Sequence, residues 1–349
     1  VALHGLEAGV AHQPDELVAG EHEPRARRRD HVLLDHGRAH VVGAEGDFDA
    51  FGKAWRWDAY YQLGETETLE IARDITNNAR LALAQDAVFA PNGQIVCRST
   101  LTNPSNGCVP FNRMGIGVNS QAALDYILGN PQREQSFKQQ VAAVNLSGDP
   151  FSTWAGPVSM AAGLEYRKEE VSGFVPTEFQ SGWFVGNYRP TFGSYTVTEG
   201  YVEAVIPLAD GFDVNAAVRG TDYSTSGYVT TWKVGAVYSP IPDIRFRLTR
   251  SRDIRAPNLN ELFAAGTSRT NTLLDPFNNN QSTQFLELTT GNLNLDPELA
   301  DTWGVGVVVQ PSFLPGFAAA IDYFDIEIEG AIDVAPRGEL PARARRKLA

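Results

Sequence analysis

The sequence predicts an all-β fold: an antiparallel transmembrane β-barrel, with short helices in long loops at one end. Three observations predict it. Apolar and polar residues alternate in run after run, as in "IRFRLTRSR", where Ile244, Phe246 and Leu248 oppose Arg245, Arg247 and Thr249. Successive strand side chains point to opposite faces, so each run has one greasy and one wet side. Short turns alternate with connections that are uneven and often long, and in "TWKVGAVYS" aromatic residues stand at both ends of the apolar face. A lipid-exposed band with interfacial girdles requires that arrangement.

From about Phe51 the elements follow in order. "KAWRWDAYYQLGET" opens the strands. Glu67–Phe89 places Leu69, Ile71, Ile75, Leu81 and Leu83 among polar residues and predicts a helix ended by Pro91-Asn92-Gly93. "NSQAALDYILGNP" predicts a second, short helix. Strands resume with "FKQQVAAVNLSGDPF" and "GPVSMAAGLEYRKEEVSG". Three hairpins then turn at "ADGF", "PIPD" and "PSFLPG"; of the opposite connections Val171–Ser194 and Arg255–Ala300 are long, and only the link around Ser226-Gly227 is tight. The count comes to about ten strands. In "FDVNAAVRGTDYS" the apolar face is Phe212, Val214, Ala216 and Val218; in "TWKVGAVYS" it is Trp232, Val234, Ala236 and Tyr238. With Ile244, Phe246, Val305 and Val307 these predict a single shared face.

The chain has 349 residues and a formal net charge of -13, which argues against a nucleic-acid partner. No apolar run approaches the roughly 18 residues of a membrane helix, a statement that leaves β-barrels untouched. Cys97 and Cys108 are the only cysteines and flank an Asn-, Pro-, Ser- and Gly-rich loop. The pattern predicts a disulfide and an oxidising compartment, two free thiols being the alternative. Closing so short a loop stabilises it by about 2–3 kcal/mol.

Both ends differ in texture. His4, His12, His22, His31, His36 and His40 all precede Phe48, at spacings that fit no metal-ligand motif. Residues 1–48 and 335–349 read as disordered or non-native ends, with the Ala/Arg/Pro composition of a GC-rich gene read out of frame. Pro257 suits a strand edge, so the Arg-rich strand is expected to leave the sheet between Arg252 and Pro257. "NLNELFAAG" then forms a turn or short helix capped by Asn258 or Asn260.

The motifs also have a family look. "RSRDIRAPNLNELF", with Arg255, Ala256, Pro257, Glu261, Leu262 and Phe263, resembles a recurrent mark of TonB-dependent outer-membrane receptors. "GNLNLDPELADTWGVGVVVQP", with Asn292, Leu295, Pro297 and Glu298, resembles the next signature, and "IDYFDIEIEGAI" the strand after it. The resemblance covers about Phe51 to Ala331. It implies a barrel of about 22 strands around an N-terminal plug, energised by the TonB complex, importing a siderophore, cobalamin or oligosaccharide through the outer membrane of a Gram-negative bacterium. Against that pattern the chain reads as an incomplete barrel, without the plug domain through which TonB would act.

Function follows from these readings. Arg219, Lys233, Arg245, Arg247 and Arg255 are expected to face the lumen and the apolar faces to meet outer-membrane lipid. No Ser/His/Asp set is available outside the leader, so no enzyme, cofactor or metal is expected. Asp322, Asp325, Glu327 and Glu329 read as strand and loop polarity rather than a glycosidase pair. The competing reading is a secreted, soluble β-sandwich that binds or cleaves glycans, with its apolar faces packed together.

Overall fold

The computed structural model describes residues 2–5, 31–275, 277–333 and 346–348. In chain order the elements are β1 (Ala2–Gly5), β2 (His31–Ala50), β3 (Lys53–Ala72), β4 (Ile75–Thr76), α1 (Asn78–Gln85), β5 (Ala87–Phe89), β6 (Ile95–Cys97) and α2 (Gln121–Ile127). Next come β7 (Leu128–Gly129), β8 (Gln132–Thr153), β9 (Gly156–Phe174), β10 (Phe192–Ala209), β11 (Phe212–Tyr223), β12 (Gly227–Ile241), β13 (Ile244–Arg255) and α3 (Leu259–Phe263). The last are β14 (Thr267–Asp275), β15 (Gln281–Thr289), β16 (Glu298–Val309), β17 (Ala319–Glu329) and β18 (Arg346–Leu348).

Twelve of the described strands form one antiparallel sheet in the order β1-β2-β3-β8-β9-β10-β11-β12-β13-β16-β17-β18, more than the sequence count, and the sheet does not close. The hairpin turns at one end are short: 51–52, 154–155, 210–211 and 242–243, with 310–318 somewhat longer. At the β2–β3 turn Phe51 and Gly52 both have positive φ, 57° and 70°, which gives a two-residue turn the twist its strands need. Of the connections at the opposite end, 73–131, 175–191 and 256–297 are long, and 224–226 is a tight turn.

Register assigns the faces. Phe212 opposes Tyr238, Tyr238 opposes Phe246, and Phe246 opposes Val307. Val214, Trp232, Val234, Ile244 and Val305 fall in the same set, as the alternation predicts. No second described sheet covers this face: Val218 is 49% exposed, Val305 52% and Leu164 65%. A sandwich would have packed these side chains against a second sheet; among the described residues they stand open. The strands also overshoot a membrane, since β3 has 20 residues and β8 has 22, where about 9–11 suffice to cross. Towards the long-loop end the outward face turns charged, in a cross-strand row Arg38, Glu65, Lys138, Glu170. Lys138 meets Glu65 at 3.1 Å, and Lys168 meets Glu170 at 2.8 Å.

Four sequence expectations need correction. Glu67–Ala72 continue β3, because Leu69 and Ile71 are spaced by two and fit a strand; the helix is only Asn78–Gln85. The 255–300 connection contains the hairpin β14–β15, which sequence reading passed over because Thr, Asn and Gln give it no apolar face. Within the leader 1–48, His31–Ala50 form β2, hydrogen-bonded along its length to β3. Its alternation of Val32, Leu34, Val42, Ala44 and Phe48 was masked by Ala/His/Arg composition. Ala2–Gly5 pair with β2 as well, whereas 6–30, with His12 and His22, lie outside the described residues. Within the tail 335–349, Arg346–Leu348 pair with β17, and 334–345 and Ala349 lie outside the described residues.

Candidate functional site: the inward wall and its long-loop rim

The face opposite the apolar one is polar, and its side chains organise in rows across the strands. Asp58, Asn145, Gly163, Tyr201 and Arg219 are successive cross-strand partners on β3, β8, β9, β10 and β11. Asn145 Nδ2 donates to Asp58 at 2.8 Å and the Tyr201 hydroxyl donates to Asn145 Oδ1 at 2.9 Å. Tyr201 reaches Asn145 because Gly163 lies between them; a Cβ there would strike both the tyrosine ring and the asparagine oxygen. Arg219 stacks 5.1 Å above the Tyr201 ring and donates to Glu199 at 2.8 Å. Beside this row opens a cleft of about 300 Å³ lined by Tyr60, Asn145, Glu165, Glu199, Tyr201, Glu203 and Arg219.

Nearer the long loops, Arg167 lies between Glu165 and Glu169, at 3.2 and 3.1 Å, and the Tyr195 hydroxyl donates to Glu169 at 2.6 Å. Arg133 meets Glu70 at 2.6 Å, and the hydroxyl of Tyr188, in the 175–191 loop, donates to the same carboxylate at 3.0 Å. Burial, followed by the charge of Glu70, raises the Tyr188 hydroxyl above the ordinary tyrosine value, so it stays a neutral donor.

The loops are fastened to one another. Trp183, 7% exposed, packs with Ala72 and Ile75, and its Nε1 donates to the Glu178 carbonyl at 2.7 Å. Asn77 bridges to Trp183 across the two loops. Cys97 and Cys108 are joined in a disulfide within the 73–131 loop, with Cα atoms 6.1 Å apart, on the long-loop side of the sheet.

The motif Arg255–Phe263 forms a knot. β13 ends at Arg255, and Asn258 caps α3 in a capping box with Glu261. Arg255 donates to both Glu261 oxygens at 3.0 Å and to Glu298 at 2.7 Å, and Glu298 also accepts from the Ile332 backbone at 2.6 Å. Leu262, 2% exposed, packs with Tyr195 and Val197 on the inward face of β10, with Leu295 alongside. Phe263 fills the space a side chain at Gly193 would need. Of the second motif, Asn292 donates its backbone N–H to the Glu261 carbonyl, while Pro297 precedes β16.

Register places Arg219, Lys233, Arg245, Arg247 and Arg255 on this one face. They do not converge. Arg247 is bidentate with Asp322 at 2.9 and 2.6 Å, Arg219 and Arg255 are paired as above, and Lys233 and Arg245 have no ion pair among the described residues. Of the four carboxylates of the β17 motif, Asp322 lies on the same face as Arg247, whereas Asp325, Glu327 and Glu329 lie on the other. No metal-ligand group of three or more occurs among the described residues. Sequence reading missed the inward tyrosines and carboxylates, although Tyr195, Glu199, Tyr201 and Glu203 share a period of two.

A model of the TonB dependent receptor-like β-barrel matches residues 21–343. The chain belongs to the TonB-dependent receptor family. In fold it is similar to a variant of the ferric enterobactin receptor PfeA from Pseudomonas aeruginosa, with a TM-score of 0.53 and 13% identity, over 85% of this chain and 35% of that one. It is likewise similar to the siderophore receptor PirA from Acinetobacter baumannii, with a TM-score of 0.50 and 14% identity, over 90% of this chain and 39% of the other. The chain thus spans little more than a third of these receptors. No curated protein matches it.

Proposed function

We propose that this chain is part of the wall of an outer-membrane transporter for the energy-coupled uptake of a scarce solute, of the siderophore, cobalamin or oligosaccharide class. The observation that carries the reading is the two-faced sheet, apolar and uncovered on one side, polar and cross-bonded on the other. The apolar side meets outer-membrane lipid and the polar side lines the lumen, where Arg219, Lys233, Arg245, Arg247 and Arg255 stand as wall residues. Energy would arrive from the TonB complex through a plug domain. The wall itself is transport architecture and not an enzyme.

The test is complementation. The complete receptor gene is placed in a receptor-deficient Gram-negative strain and supplied separately with ferric siderophores, cobalamin and oligosaccharides. Growth on one class, lost when TonB is deleted, is the expected result. Growth that persists without TonB would make the protein a passive pore.

A further inference from the structure

The root of the 256–297 excursion does not sit above its own strands. The chain leaves the sheet at the end of β13 and lays α3 on the inward face of β10, although β11 and β12 lie between those strands. It is therefore a strut across the inside of the curved wall. Its two ends are pinned together. The Gly291 N–H donates to the Ala264 carbonyl at 2.8 Å, and the Asn292 N–H to the Glu261 carbonyl at 2.8 Å. A Cβ at Gly291 would lie 2.6 Å from the Ala264 nitrogen and the Leu262 oxygen, so the two segments of this neck are in backbone contact. Arg255 then ties α3, through Glu261, to the start of β16, through Glu298, and Glu298 holds the backbone that follows β17.

We propose that α3 and the neck at Ala264 and Gly291 form a fixed sill inside the extracellular mouth, locked by Arg255, which the entering solute meets in place instead of displacing as a lid. The proposal rests on the reading of the inward face as the lumen. A lid needs a root that opens at small cost, drawn from the low-stability end of the structure. This root combines a buried apolar anchor, paired backbone and a carboxylate-bound guanidinium shared by three chain segments, and each must break before the root can swing.

Hydrogen-exchange mass spectrometry on the complete receptor in outer-membrane vesicles tests this without a ligand. Peptides covering 256–266 and 288–296 are expected to exchange within about tenfold of peptides from β13. In Arg255→Ala they should exchange more than about tenfold faster while β10–β13 stay unchanged. If that variant fails to assemble, Glu298→Gln keeps the side-chain size and should show the same local acceleration. Exchange of the wild-type root at the rate of an open loop overturns the sill. So does wild-type protection in the variant measured. Failure of the barrel reading is seen separately, as loss of the protein from the membrane fraction.

Discussion

Tyr201 hydrogen-bonds Asn145 at 2.9 Å across Gly163, joining β8 to β10 over the strand between them. The missing side chain at Gly163 is what permits it. Gly163→Ala should push the tyrosine off the asparagine and break the row that runs on to Asp58. The expected cost is about 1–3 kcal/mol, from the displaced ring and the lost hydrogen bond. Denaturant titration of the folded barrel in lipid vesicles measures it. A double variant with Tyr201→Phe should cost little more than Gly163→Ala alone.

The two faces should answer differently to charge. Leu248 lies in the outward row with Ala236 and Val305, whereas Thr302 lies inward opposite Ser251. Leu248→Arg should destabilise insertion by about 2–4 kcal/mol, the cost of a cation near the bilayer midplane. Thr302→Lys should change it by less than about 0.5 kcal/mol. Equal costs would remove the distinction between the faces.

Trp183 should act on the loops and not on the wall. Trp183→Ala removes the packing on Ala72 and Ile75 and the bond to Glu178. The local loss is about 3–5 kcal/mol, and it should appear as protease cleavage within 73–131 and 175–191 while the heat-resistant barrel persists.

How much of this was legible in sequence depends on how local the cause is. The faces of β11 to β13 follow from alternation alone, and α3 from Pro257, Asn258 and Glu261 within one turn. The β14–β15 hairpin was illegible because neither of its faces is apolar throughout. The Asp58–Asn145–Tyr201–Arg219 row was illegible for another reason. Its members are far apart in sequence, and only register, fixed by many strands together, sets them side by side. Alternation puts the cationic residues on one shared face, but their partners Glu199, Asp322 and Glu298 come from other strands.

The Cys97–Cys108 bridge closes a loop whose remaining ties are polar. Alkylation of the protein from the outer membrane should modify neither cysteine until a reductant is added, as mass spectrometry reads directly. Paired Cys97→Ser and Cys108→Ser substitutions should lower the local stability of the loop by about 2–3 kcal/mol and leave barrel assembly intact.

The central claim is that one face of this sheet meets lipid and the other meets water. A nitroxide scan of Tyr228 to Tyr238 on β12, in the complete receptor reconstituted into vesicles, tests it most directly. The account predicts a period of two: collision with dissolved oxygen high at Trp232, Val234, Ala236 and Tyr238, and collision with a water-soluble nickel chelate high at Thr231, Lys233 and Gly235. Uniform chelate access along the strand, or the opposite phase, would contradict it.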